Sequence, residues 1–363
     1  MPGTTALELR WEAHARRLAD LGAPQEVVDA AGAAAVSPTG RPGPAGRLVV
    51  ADARGVALDL VLPEPPVREA TTWGPVPHLM PAVRAFPAAT SYALVEVDGA
   101  GADLLVVGAR GEPLDAQTVE GGHDILHKVP GGGWAHRRLQ MRVEDSIERN
   151  ADVVAARIWD EVRRHDPDVV LLAGEDKPAA AVLGSVAVQV RARVVRLRHG
   201  GRAAGVDARA RDDEISQVLA EIERDRRAAL LDRFASAQSR QQEAVEGLDA
   251  VLEVLQRQQV DELLLHDDPS SDRALQATGI PGQLAQDRAD LLGMGARDDD
   301  IAEVRADAAI VWALVGSGAG ITLLAEDDPP LPDGVAALLR YSDVSTPHDA
   351  APSMPGHGEP PGM

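Results

Sequence analysis

Asp168-Val169-Val170-Leu171-Leu172-Ala173-Gly174 is a short, continuous apolar run closed by a glycine. Apolar side chains on both alternating faces mark a strand buried on both sides rather than one with a wet face. In front of it, Leu139, Val143, Ile147, Val154, Ile158 and Val162 recur at steps of four or seven residues, one apolar stripe along a long helix. Behind it, residues 178–187 predict a second helix and residues 194–197 a further strand. Helix, strand, helix, strand in that order predicts a parallel sheet and an α/β (α+β) fold.

Working toward the N-terminus, residues 92–98 and 103–107 flank Gly99-Ala100-Gly101 and predict a hairpin. Residues 47–52 and 56–62 do the same around Ala53-Arg54-Gly55. Residues 1–35 predict one or two helices, and the Pro-rich segment 63–87 gives no regular pattern. Working toward the C-terminus, residues 212–258 predict charged helix, 260–266 a buried strand, 298–315 a helix, 321–325 a strand and 335–341 a last apolar element. Asp298-Asp299-Asp300 is expected to favour the start of that helix, and Gly316-Ser317-Gly318 to close it. The pattern divides into an N-terminal α+β domain (1–88), a middle α/β domain (89–235), a C-terminal α/β domain (236–345) and a disordered tail (346–363).

Composition removes several function classes. The 363 residues carry a formal charge of −21 and no cysteine, which excludes disulfide frameworks, thiolate nucleophiles and Cys-ligated metals. No apolar run is long enough to span a bilayer, and residues 1–17 have no signal-like apolar region, so a cytoplasmic setting is expected. The acid excess opposes binding to nucleic acid over the whole surface. It is uneven, however: residues 127–200 are slightly basic and residues 201–300 strongly acidic.

The least acidic part contains Gly121-Gly122-His123 through Pro130-Gly131-Gly132-Gly133-Trp134, expected to be a loop over 121–134. It runs into Ala135-His136-Arg137-Arg138-Leu139-Gln140-Met141-Arg142. Glycines allow a phosphate backbone to come close, arginines offer forked donors to its oxygens, and Trp134 offers a stacking face. The plainer alternative is a solvated loop with Trp134 folded back as an anchor. His123 and His127 are spaced like metal ligands, yet no Glu/His cluster accompanies them, and neither a metal nor a cofactor is expected.

The segment Gly132-Gly133-x-Ala135, through Arg138, Arg142 and Glu144 to Ile158, resembles the middle domain of the archaeal and eukaryotic class-one release factors and Pelota. Three later blocks resemble that family's final domain in order and spacing: Gly247-Leu248-Asp249-Ala250-Val251, Val260-Asp261-Glu262-Leu263-Leu264-Leu265 and Gly334-Val335-Ala336-Ala337-Leu338-Leu339-Arg340-Tyr341. His127-Lys128-Val129 followed by Gly132-Gly133-Trp134 is similar to an actinobacterial branch related to the ribosome hibernation factor Balon. The resemblance implies a three-domain factor that occupies the ribosomal A site and contacts 23S and 16S rRNA through His127, Lys128, Gly131, Gly132, Gly133, Trp134, Arg137, Arg138 and Arg142. It also implies elongation factor Tu as a partner of the C-terminal domain. Where the family has a water-positioning glutamine, this chain has Trp134, whose indole donates one N–H and accepts nothing. Hibernation without hydrolysis is therefore expected. The alternative is a codon-independent peptidyl-tRNA hydrolase that places its water with Gln140 or His136. The first 88 residues contain no matching stop-codon-reading motif.

Overall fold

The computed structural model describes residues 2–40, 43–86, 90–109, 111–120, 134–203, 205–240, 243–343 and 346–347, with backbone alone at 2–6 and 134–145. The chain divides into two compact units: residues 88–229, and residues 1–87 together with 230–363. The glycine-rich segment 121–133 and the tail beyond 347 lie outside the described residues.

The chain begins with α1 (Pro2–Asp20), α2 (Gln25–Ala35), the hairpin β1 (Gly46–Asp52) and β2 (Gly55–Leu62), and α3 (Met80–Ala85). The hairpin forms where alternation and Ala53-Arg54-Gly55 predict it, with Gly46 opposite Leu62. The short helix α3 falls in the Pro-rich stretch that gave no pattern.

The unit of residues 88–229 is built on one five-stranded sheet. Its strands are β3 (Tyr92–Val97), β4 (Gly101–Val107), β5 (Pro113–Glu120), β6 (Val169–Gly174) and β7 (Val194–Arg196), in the order β5-β4-β3-β6-β7. The three strands β3, β6 and β7 are parallel, whereas β4 and β5 join antiparallel. Helices α4 (Trp134–His165), α5 (Asp176–Ser185) and α6 (Val188–Arg191) lie between β5 and β7 in sequence, and α7 (Ala208–Ser239) follows.

The apolar run 169–173 is the middle of this core, and its period of two sorts it between two faces. Val170 and Leu172 pack with Val154, Ile158 and Val162 of α4 and with Ala179 and Val182 of α5. Val169, Leu171 and Ala173 pack with Leu94, Leu197 and Ile215 of α7. Helices on both faces explain why no polar residue interrupts the strand. The predicted stripe of α4 holds at Val154, Ile158 and Val162, all buried.

In the other unit, β8 (Ala244–Glu246), α8 (Leu248–Gln256), β9 (Val260–His266), β10 (Ala274–Ala277), β11 (Leu284–Ala285), α9 (Arg288–Gly293), β12 (Ala302–Arg305), α10 (Ala306–Ser317), β13 (Gly320–Leu324) and β14 (Val335–Leu339) follow α7. Strands β13-β9-β14-β8 form one sheet and β11-β10-β12 another. Val76 and Met80 join the core made by α8, α10 and this larger sheet. Arg84 binds the Asp267 carboxylate at 2.7–2.9 Å, so α3 is fastened to the end of β9 by packing and charge together. Phe234 and Ala237, in the last turns of α7, pack on the opposite face of that sheet.

Two predicted helices are corrected. The helical stretch 212–258 is broken by β8, which pairing with β14 makes a strand. Residues 298–315 are not a single helix: Asp298–Asp300 form a 3-10 turn, 302–305 are β12 and only Ala306 onward is α10. Strand pairing with β10 captures 302–305, and Asp298 binds Arg288 at 2.8 Å instead of serving a helix dipole. Gly318 does close α10, in the left-handed conformation at φ 64°.

Candidate nucleic-acid interface at the sheet edge

Parallel strands in an open α/β sheet present their carboxy-terminal ends as one edge, the usual place for ligand contact. Here that edge is Val97, Gly174 and Arg196, the last residues of β3, β6 and β7. Gly174 has φ 127°, and a Cβ there would collide with the Val97 carbonyl. Gly200 and Gly201 also have positive φ, and a Cβ on Gly201 would meet the Gly174 backbone at 3.0 Å. Only glycine allows the two backbones to pack this closely.

The segment Arg198-His199-Gly200-Gly201-Arg202 is thereby laid across the strand ends and locked there. The Glu214 carboxylate on α7 accepts the backbone N–H of His199 at 2.8 Å and of Arg198 at 3.0 Å, and the His199 Nδ1 lies 3.0 Å away. Burial alone raises the pKa of this carboxyl. The two backbone donors, the Arg198 guanidinium and the His199 ring outweigh that effect and hold it at about 2. The Glu96 carboxylate accepts the Gly201 N–H at 2.9 Å and an Arg211 donor at 3.0 Å. Arg202 spans Asp98 and Asp103 at 3.0 and 3.1 Å. Beside it, Leu94, Glu96, Asp103, Leu105, Thr118 and Arg211 line a cleft of about 390 Å³.

These contacts divide the cations into two kinds. Arg202 is mostly buried and neutralised, so its role is to hold the segment. Arg198 is 82% exposed and His199 52% exposed although each also contacts Glu214; their side chains face outward. The backbone donors of the segment are taken by Glu214 and Glu96, so what it offers a phosphate is the exposed Arg198 and His199 side chains on a fixed backbone.

The segment that holds the predicted site residues lies between β5 and Asn150 of α4 in sequence. Glu120, the last residue of β5, pairs with Gly101, and Asn150 of α4 donates to the Gly99 carbonyl at 2.9 Å. The sequence on either side of 121–133 is thus tied to the β3–β4 turn. Helical residues 134–149 lie beyond Asn150 and span about 24 Å by helix rise. Trp134, placed by the sequence at the end of the loop, is the first helical residue. Positions 134, 138 and 142 follow at four-residue steps along α4, and Arg137 adjoins them. His127, Lys128, Gly131, Gly132 and Gly133 lie outside the described residues, as does the pair His123 and His127. Sequence reasoning passed over Arg196, Arg198, His199, Arg202 and Glu214. The available signal was a Gly-Gly pair between basic residues directly after a predicted parallel strand.

Residues 91–240 match the model of bacterial archaeo-eukaryotic release factor family 2. Over that span the chain is release-factor-like. The matched residues take in the whole five-stranded sheet, both of its helical layers and the segment 198–202. The chain is also 28% identical over 346 residues to uncharacterised proteins of two Mycobacterium tuberculosis strains, CDC 1551 and H37Rv, covering 92% of this chain and 88% of theirs. Among solved structures, Pelota of Archaeoglobus fulgidus is similar at 13% identity and a TM-score of 0.34, over 82% of this chain and 80% of that one. Dom34 of S. cerevisiae is similar at 10% identity and a TM-score of 0.34, over 74% and 68%. Among the described residues, no helix is long and apolar enough to cross a membrane.

Proposed function

We propose that this release-factor-like chain is a cytoplasmic ribosome-binding factor that occupies the A site during hibernation or stress and does not hydrolyse peptidyl-tRNA. The observation that carries the reading is the match of residues 91–240 to a release-factor family, with Trp134 standing where the class-one factors have their catalytic glutamine. Supporting it, Glu120 and Asn150, which bracket in sequence the segment that would reach the peptidyl-transferase centre, contact Gly101 and Gly99 of the β3–β4 turn, and Arg198 and His199 are exposed after β7. In this reading Lys128, Arg137, Arg138 and Arg142 bind rRNA phosphates, Trp134 stacks on a base, and Gly131, Gly132 and Gly133 let the backbone come close. The C-terminal domain, on the strongly acidic half of the sequence, faces protein rather than RNA, and elongation factor Tu is the partner proposed for it.

The test separates binding from chemistry. Purified protein is added to ribosomes carrying peptidyl-tRNA, and both co-sedimentation and peptide release are measured. Co-sedimentation without release is expected. Release that disappears on replacing Gln140 or His136 would instead establish the hydrolase alternative, and failure to co-sediment would remove both.

A further inference from the structure

At the opposite end of the same sheet, where β5 begins and α4 ends, three side chains converge that the interface does not use. Asp115 stands on β5. Glu161 and His165, four residues apart, share one face of the last turns of α4. One ligating atom from each lies within 4.8 Å of the others. The His165 Nε2 is 3.5 Å from Glu161 Oε2 and 3.9 Å from Asp115 Oδ2.

The two oxygens of Glu161 have different surroundings. Its side chain is only 1% exposed. Oε1 accepts from Gln117 at 2.9 Å and from Arg164 at 2.8 Å, with Arg157 3.5 Å away. Oε2 is buried without a hydrogen-bond partner, and so is the Nε2 of His165. Buried polar atoms are rarely left unpaired, and here two of them face each other at a separation too long for a good hydrogen bond.

We propose that Asp115, Glu161 and His165 form a binding site for a divalent transition metal ion of the zinc class. One imidazole nitrogen and two carboxylate oxygens are a donor set that zinc accepts, at about 2.0–2.2 Å each. Around a tetrahedral ion such donors stand roughly 3.3–3.6 Å apart. The Nε2 and Oε2 atoms are already at that spacing, and Asp115, on the more open side, closes the remainder by turning its carboxylate. Gln117 and the arginines grip Oε1 and so aim Oε2 inward, as outer partners of a metal carboxylate do. The Asp115 Oδ2 accepts from Gln117 at 2.7 Å and from Arg164 at 3.3 Å; both donors also hold Glu161 Oε1 and keep it when Asp115 turns to the ion. Bound metal would clamp the start of β5 to the end of α4, the two elements that flank residues 121–133. Its role is structural.

The full chain, treated with chelator and returned to pH 7.5, is titrated with zinc chloride by calorimetry and melted with and without it. One zinc per chain and a raised melting temperature are expected, together with visible absorption on substituting cobalt(II). Asp115→Asn and His165→Gln should each weaken uptake at least tenfold and abolish the thermal gain, while His199→Ala leaves both intact. Asp115→Asn is the variant to rely on for folding, since its side chain is partly open to solvent. No zinc uptake, or uptake unaffected by both substitutions, would overturn the site. So would stabilisation that appears without zinc as pH falls through the imidazole range, because a proton shared by His165 and the carboxylates would then be the occupant.

Discussion

The Glu214 carboxylate on α7 accepts the backbone N–H of His199 at 2.8 Å, so a glycine-backed basic segment is held on the sheet edge by a helix from the layer behind it. Without that carboxylate the N–H groups of Arg198 and His199 lose their acceptor. Glu214→Gln replaces one acceptor oxygen by a donor aimed at other donors. It should cost about 1–3 kcal/mol, read as a lowered urea midpoint with the slope unchanged.

The same carboxylate fixes a pH dependence. Its folded pKa, about 2, lies below the ordinary carboxylate value, so the group binds its proton more weakly when folded. Its contribution to stability is complete above about pH 4.5 and declines as pH falls toward 2. The stability gap between wild type and Glu214→Gln should therefore narrow across that window. Urea titrations at pH 7, 4 and 3 check this; a gap that widens on acidification would contradict it.

Leu171 is fully buried between β3 and β7, on the face covered by α7. Leu171→Ala removes three carbons from a site closed by α7 and should destabilise by about 2–5 kcal/mol. The exposed Val188 offers the contrast, since Val188→Ala should change stability by less than about 0.5 kcal/mol. Denaturant titration of both variants measures the difference.

Residues 134–142 give two separable signatures if they contact rRNA. Replacing Arg137 and Arg138 together by Ala should weaken ribosome binding and flatten its dependence on salt, because fewer counterions are released. Trp134→Ala should weaken binding by about 1–3 kcal/mol with the salt slope nearly unchanged. Melting temperature measured beside affinity decides the plainer alternative. Unchanged affinity with a lowered melting point would make Trp134 a core anchor and not a stacking residue.

The fold was legible where burial is two-sided or periodicity is long. Val169 to Ala173 read as a buried strand because both faces are covered. The α4 stripe read as a helix because Val154, Ile158 and Val162 keep their spacing. The edge strand β5 went unread: Pro113-Leu-Asp-Ala-Gln-Thr-Val-Glu buries no side chain fully, so it lacks a strong alternation and is fixed by pairing with β4. Residues 302–305 misled for a related reason. Four weakly patterned residues beside a helical run follow the helix on local propensity, and only the partner strand β10 makes them a strand. For the candidate interface, Trp134 and the arginines after it were proposed through a motif. Glu214 was invisible because sixteen residues and a layer of the fold separate it from the Arg198 it positions.

The most direct measurement is a cryo-EM map of the purified protein bound to the ribosome, prepared without added termination or elongation factors. The account predicts density in the A site, with residues 127–142 entering the peptidyl-transferase centre, Trp134 against a base, Arg198 and His199 facing rRNA phosphate, and intact peptidyl-tRNA in the neighbouring site. Ribosomes with an empty A site at saturating protein, or density bound elsewhere with the 198–202 segment turned to solvent, would contradict it.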